Sequence, residues 1–236
     1  MIDRDRIQAI TLDLDDTLWP VMPTMHRAEA LLREWFDTHA PATGRLWRDR
    51  SLLQQERAAL VVAHDHMAHD LTFQRRELIR RVLRRAGEDE ALLDPAFDVF
   101  FAARQVVDLY ADARPFLQAL AQRWPVVAVS NGNADLHRVG LAPFFAGQVS
   151  ARRSGFAKPD LRIFHEAAWL VGVPTRAVLH VGDDAALDGG GALRCGMQMA
   201  WLNREGLRWP LAETPTLEVR GLDALAQALG LAPGTG

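Results

Sequence analysis

The chain has 236 residues, 49% of them hydrophobic and 24% charged, which is the composition of a globular protein with a real core and argues against extended disorder. A formal charge of −3 leaves no strong field for nucleic acid or an acidic membrane, and no apolar run reaches the roughly 18 residues that span a bilayer. The opening MIDRDRIQAI lacks the apolar stretch of a secretory signal, and Cys195 is a lone cysteine with no internal disulfide partner, so a reduced, cytoplasmic setting is expected.

Residues 7–12 (IQAITL) form a short apolar run that ends abruptly in Asp13-Leu14-Asp15-Asp16, the pattern of a buried strand that delivers carboxylates at its carboxyl end. Residues 20–110 contain no convincing strand. Their spacing predicts four helices near 24–39, 44–62, 72–86 and 95–109, with Asp94-Pro95 opening the last. In the third, Leu78, Ile79, Val82 and Leu83 share one face and six arginines cover the other, read as a solvated amphipathic surface. His64, His66 and His69 fit no standard ligand spacing and are read as a polar turn between helices.

Beyond this insert, strands are expected at 126–129, 177–181 and 197–202. Helices are expected at 113–123, 134–142, 160–171, 187–195 and 222–229, with Asp160 as an N-cap. Strands alternating with helices of this length predict a parallel, doubly wound α/β sheet, whose ligands bind at the carboxyl ends of the strands. The domains are then 1–19 with 111–236 as the α/β core and 20–110 as an inserted helical unit. The tail 232–236 is expected to fray. Gly189-Gly190-Gly191 follows an acidic loop rather than forming a dinucleotide fingerprint, and is read as permitting close packing of helix on sheet.

Three of the strand ends are polar: Asp13-Leu14-Asp15-Asp16, Ser130-Asn131-Gly132 and Gly182-Asp183-Asp184, with Asp188 just beyond. If they adjoin, up to five carboxylates crowd one crevice, where like charges cannot all stay ionised cheaply. A hard divalent cation with oxygen ligands resolves that conflict. Among 27 basic residues only Lys158 is a lysine, a compact charge suited to a phosphate and a carboxylate at once.

The segments LDLDDTLW, VSNGN, AKPD and HVGDDAALD, in this order, resemble the four motifs of the haloacid dehalogenase-like superfamily. The resemblance covers the core, and the helical insert stands where that family carries its cap. It implies a Rossmann-like parallel sheet with an inserted helical cap, and a role for each residue. Asp13 would be the nucleophile, forming an aspartyl-phosphate, and Asp15 the general acid and then base. Ser130 and the backbone at Asn131 would bind the phosphoryl group, and Lys158 would stabilise its charge and orient Asp13. Mg²⁺ would be held by Asp13, the Asp15 carbonyl and Asp183, with Asp184 or Asp188 in support.

Dehalogenases of the family keep no acid two residues after the nucleophile and need no metal, so Asp15 and the Asp183 cluster favour a phosphatase. Longer stretches such as WPVVAVSNGNADLHRVGL look like a bacterial branch acting on flavin mononucleotide and on 5-amino-6-(5-phospho-D-ribitylamino)uracil. The expected partner is therefore a small phosphorylated metabolite, with no nucleic acid and no membrane, for a monomer or homodimer. The alternatives are a phosphatase for a sugar phosphate or nucleotide, a phosphomutase, or a non-catalytic binding protein on the same fold.

Overall fold

A computed structural model of the chain describes residues 2–231; the tail expected to fray at 232–236 lies outside the described residues. The chain divides into two compact units, Met1–Pro20 with Asp108–Gly236, and Val21–Val107.

The first unit is built on a six-stranded, wholly parallel sheet. Its strands are β1 (Ala9–Leu12), β2 (Val126–Ser130), β3 (Gly147–Ser150), β4 (Val178–Gly182), β5 (Gln198–Leu202) and β6 (Leu217–Val219), in the spatial order β3-β2-β1-β4-β5-β6. The first strand is thus central, flanked by β2 and β4, with Leu12 level with Ala128 on one side and Val181 on the other. All residues of β1, β2, β4 and β5 are buried, as strands covered by helices on both faces must be. Because β1, β2 and β4 run in parallel and in near register, their three polar carboxyl ends emerge side by side at the point where the strand order reverses, the crevice in which such sheets place ligands.

The second unit is all helical among its described residues: α1 (Val21–His39), α2 (Pro41–Trp47), α3 (Arg50–Ala63), α4 (Leu71–Ala86) and α5 (Leu93–Arg104). It encloses a core of its own, including Leu32, Phe36, Trp47, Ile79, Leu83 and Phe97. The first unit carries the remaining helices α6 (Ala113–Ala121), α7 (Ala151–Ser154), α8 (Leu161–Leu170), α9 (Gly190–Arg194) and α10 (Leu222–Leu229).

Several sequence expectations are corrected. The insert has five helices rather than four, because Asp49 interrupts 44–62 and caps α3 by accepting from the Leu52 N–H at 3.1 Å. The fourth begins at Leu93, so Asp94 and Pro95 lie inside its first turn. No helix forms over 134–142. The Asp135 side chain accepts from the backbone of His137 and Arg138, offering the chain a turn instead, and Gly140 is left-handed at φ 74°. The expected helix 187–195 is a π-helical turn, Ala185–Gly189, followed by α9. Strands β3 and β6 were not anticipated. Both are short sheet edges of four and three residues, the first opened by a glycine, too brief to carry a periodic signal.

Asp160 caps α8 as expected, accepting from Arg162 N at 2.9 Å. The glycine run also packs closely: a Cβ on Gly191 would lie 2.1 Å from Phe164 Cε2, and one on Gly189 2.3 Å from Trp209 Cη2. The His64–His69 segment forms a short 3-10 turn, and Asp70 caps α4. All six arginines of α4 face carboxylates: Arg75 pairs with Glu29, Arg76 with Asp94, Arg80 with Glu77, Arg81 and Arg85 with Glu56, and Arg84 with Glu90.

Candidate active site

Asp13 is the first residue beyond β1, and its N–H still donates to Val181 O at 2.9 Å, so the strand ladder holds its backbone. The chain then turns. Asp16 adopts a left-handed conformation at φ 57°, and its N–H donates to Trp19 O at 2.7 Å. The turn brings the buried Trp19 indole onto Asp15, with Nε1 donating to Oδ1 at 2.9 Å. Trp19 is a core residue that fixes the orientation of the second acid.

The Lys158 ammonium is buried and bridges two carboxylates, donating to Asp13 Oδ1 at 2.5 Å and to Asp188 Oδ1 at 2.6 Å. The lysine backbone is itself clamped by Asn131. Its N–H donates to Asn131 Oδ1 at 2.7 Å, and the Asn131 amide donates to the Lys158 carbonyl at 3.0 Å. The side chain of Asn131 thus places the lysine, while Ser130 Oγ, buried at the end of β2, accepts from Gly132 N at 2.9 Å.

On the other side of β1, the carboxylates of Asp13, Asp183 and Asp188 bring one oxygen each within 4.8 Å of one another. Asp183 is anchored twice, its Oδ1 accepting from Thr17 Oγ1 at 2.9 Å and its carbonyl from the Trp201 indole at 2.7 Å. The structure separates the two supporting acids. Asp188, inside the π-helical turn, is fully buried, whereas Asp184 is exposed and caps that turn through Ala186 N and Leu187 N. The side chain of Asp15 is not part of the three-carboxylate group.

Two supporting residues escaped the sequence reading. His180, buried in β4, contacts Asp188 Oδ1 through Nε2 at 3.0 Å and Thr11 Oγ1 through Nδ1 at 2.8 Å. The signal was a histidine inside an otherwise apolar strand just before an acid cluster, since a fully buried imidazole needs partners on both nitrogens. Thr17 carries no comparable mark in the sequence.

The electrostatics follow from burial. Loss of water pushes Asp13 well above the usual carboxylate range; Lys158 opposes this, while Asp188 and Asp183 add to it. Burial, reinforced by Asp188, likewise pushes Asp183 up to about 7. Burial alone would raise Asp188, but the Lys158 charge and the His180 hydrogen bond outweigh it and hold the group at about 2. Burial would lower Lys158, yet its two carboxylates more than compensate and keep it charged. His180 is held below its ordinary value by burial. One lysine does not balance three acids, and the repulsion between them adds to the burial that raises Asp13 and Asp183.

The all-oxygen donor set and this surplus fit a hard divalent cation. The geometry combines a buried, lysine-oriented carboxylate, a second acid fixed two residues later, and a place for a cation, which are the parts required for hydrolysis through a carboxylate nucleophile.

The chain is 34% identical, over 95% of its length and 97% of the relative's, to the 5-amino-6-(5-phospho-D-ribitylamino)uracil phosphatase YigB of Escherichia coli K12. It is 25% identical to the (S)-2-haloacid dehalogenase H-109 of Pseudomonas putida, over 94% of this chain and 98% of that one. A crystal structure described as a 2-haloacid dehalogenase from Pseudomonas syringae pv. tomato DC3000 superposes with a TM-score of 0.90 at 35% identity, covering 95% of this chain and 98% of the other. Residues 7–196 match the pattern of the haloacid dehalogenase-like hydrolases, and with the four motif segments gathered at one end of the sheet the chain belongs to that family of hydrolases.

Proposed function

We propose that the chain is a Mg²⁺-dependent phosphomonoesterase of the cytoplasm working through an aspartyl-phosphate on Asp13. The observation that carries this reading is the company Asp13 keeps: Lys158 on one oxygen, Asp183 and Asp188 within 4.8 Å, and Asp15 two residues on, held by Trp19.

In this reading Asp13 attacks phosphorus, and the bond to the leaving oxygen breaks as that oxygen takes a proton from Asp15. Asp15 then accepts a proton from the water that attacks the phosphorus of the acyl phosphate. This releases inorganic phosphate and regenerates the Asp13 carboxylate. Ser130 and the backbone at Asn131 bind the phosphoryl oxygens, and Lys158 keeps Asp13 oriented and offsets charge on the transferring group. Asp13, the Asp15 carbonyl and Asp183 would hold Mg²⁺, with Asp188 rather than Asp184 in support. When bound, the ion supplies Lewis-acid stabilisation of the phosphoryl charge. The helical unit Val21–Val107 serves as the cap that selects substrate.

The E. coli relative, covered over nearly its full length, supports 5-amino-6-(5-phospho-D-ribitylamino)uracil as substrate. Flavin mononucleotide stands beside it on the resemblance of the core segments alone. A second reading, dehalogenation of a 2-haloacid, is favoured by the P. putida relative and the P. syringae structure. Asp15 and the three-carboxylate group speak against it, since displacement of halide from carbon requires neither a proton for the leaving group nor a cation.

The test is phosphate release from both flavin-pathway compounds, sugar phosphates and nucleotides, run with Mg²⁺ and with chelator, beside halide release from a 2-haloacid. The expected result is metal-dependent phosphate release, strongest for the flavin-pathway compounds. It should fall by roughly 10³-fold or more in Asp13→Asn with the fold retained. Halide release without phosphate release would establish the dehalogenase reading instead. No turnover of any kind would leave a binding protein on this fold.

A further inference from the structure

The helical unit contains a cavity of about 600 Å³ between α1, the end of α2 and the start of α3. Four arginines line it, Arg33, Arg48, Arg50 and Arg57, together with Glu29 and Trp47. The acids nearby are committed elsewhere. Glu29 receives Arg75 at 2.6 Å and the Trp47 indole at 3.2 Å, Asp37 pairs with Arg48, and the Asp49 side chain caps α3. Among the described residues Arg33, Arg50 and Arg57 make no ion pair and no side-chain hydrogen bond.

The contrast with α4 is what gives this cavity weight. There, in the same unit, each of six arginines is matched by a carboxylate. Around the cavity the matching stops: Arg33, Arg50 and Arg57, all exposed, line one concavity whose single lining carboxylate, Glu29, is taken up by Arg75 and the Trp47 indole. Like charges gathered on a concave wall repel one another and focus a positive potential into the space they enclose. Guanidinium forks match the oxygens of phosphoryl groups in bidentate fashion. The volume is that of a small-molecule site, larger than a single phosphate needs.

We propose that this cavity is a binding site for a small polyanion bearing two or more phosphoryl groups, held by Arg33, Arg50 and Arg57 with Arg48 at its rim. The site belongs to the helical unit alone and does not depend on the reaction proposed for the core.

The probe is inorganic pyrophosphate, titrated into the ¹⁵N-labelled full chain with chelator present and followed by the indole N–H signals. Trp47, assigned through Trp47→Phe, reports the cavity. Trp19 and Trp201, whose indoles hold Asp15 and the Asp183 carbonyl, report the core site. The expected result is a saturable shift of the Trp47 signal with a dissociation constant below about 1 mM, tighter for pyrophosphate than for orthophosphate by roughly tenfold. Both the double variant Arg33→Gln/Arg57→Gln and a rise in salt should weaken binding by about tenfold or more. A Trp47 signal that does not move, or one that moves equally in the double variant, overturns the proposal. Movement confined to Trp19 and Trp201 overturns it too, while leaving the proposed phosphatase chemistry intact.

Discussion

At the scale of single residues, the turn after Asp13 depends on a conformation that few side chains tolerate. Asp16 sits at φ 57°, the left-handed region that glycine enters freely, that aspartate tolerates through its short polar side chain, and that β-branched residues resist. Asp16→Gly should therefore leave stability and turnover close to those of the parent. Asp16→Val should cost about 1–2 kcal/mol of stability. It should also lower kcat, because the same turn carries Asp15 to the Trp19 indole. Thermal unfolding and steady-state kinetics on both variants check this; equal behaviour of the two would show that the turn does not control the second acid. The acids themselves were legible in the sequence because carboxylates at strand ends are a chemical pattern. Choosing between Asp184 and Asp188 was not, since the two lie four residues apart with identical side chains. The choice is made by the π-helical turn, which sends one to cap its own backbone and buries the other against Lys158 and His180.

At the scale of secondary-structure elements, two closely packed glycines have different consequences, one at the site and one in the core. Gly182 ends β4, and a Cβ there would lie 2.3 Å from the Asp188 carboxyl carbon. Gly191 in α9 would place its Cβ 2.1 Å from the Phe164 ring in the sheet-side core. Gly182→Ala should displace Asp188 from Lys158 and lose most turnover per folded molecule. Gly191→Ala should lower stability by about 1–3 kcal/mol through overpacking while the folded fraction keeps its specific activity. Denaturant melts beside active-fraction kinetics separate the two, and identical losses in both would count against a special role for Asp188. The central strands and most helices were readable from apolar runs and periodicity. Edge strands β3 and β6 were not, because three or four residues paired on one side only leave little pattern. The segment 134–142 looked helical by spacing, but Asp135 captures the N–H groups that a helix would have used.

For the whole molecule, the hydrophobic cores are built from separate stretches of chain. One lies wholly within Val21–Val107, and another gathers residues from Ala9 to Trp201 around the sheet. An excised Val21–Val107 segment should therefore show a helical circular dichroism spectrum and a cooperative melt. Leu83→Ala, which empties a fully buried position, should destabilise it by about 2–5 kcal/mol. A segment that melts without cooperativity would mean its core is incomplete by itself.

What the sequence determined by itself was the chemistry on offer: a carboxylate pair, a lone lysine, a second acid cluster, and the alternating pattern that makes a parallel sheet. These are properties of side-chain identity and local spacing, and they sufficed for the family resemblance. The tertiary structure decided which of those groups meet. Strand order sets β2 and β4 on either side of β1, so that Asp13, Lys158, Asp183 and Asp188 converge from positions as much as 175 residues apart in the chain. It also decided which arginines are answered by carboxylates and which are left facing an open cavity. Most pairings of that kind depend on distances through space between side chains of identical type, and no local pattern along the chain encodes them; Arg80 with Glu77, three residues apart on one helix, is a local exception.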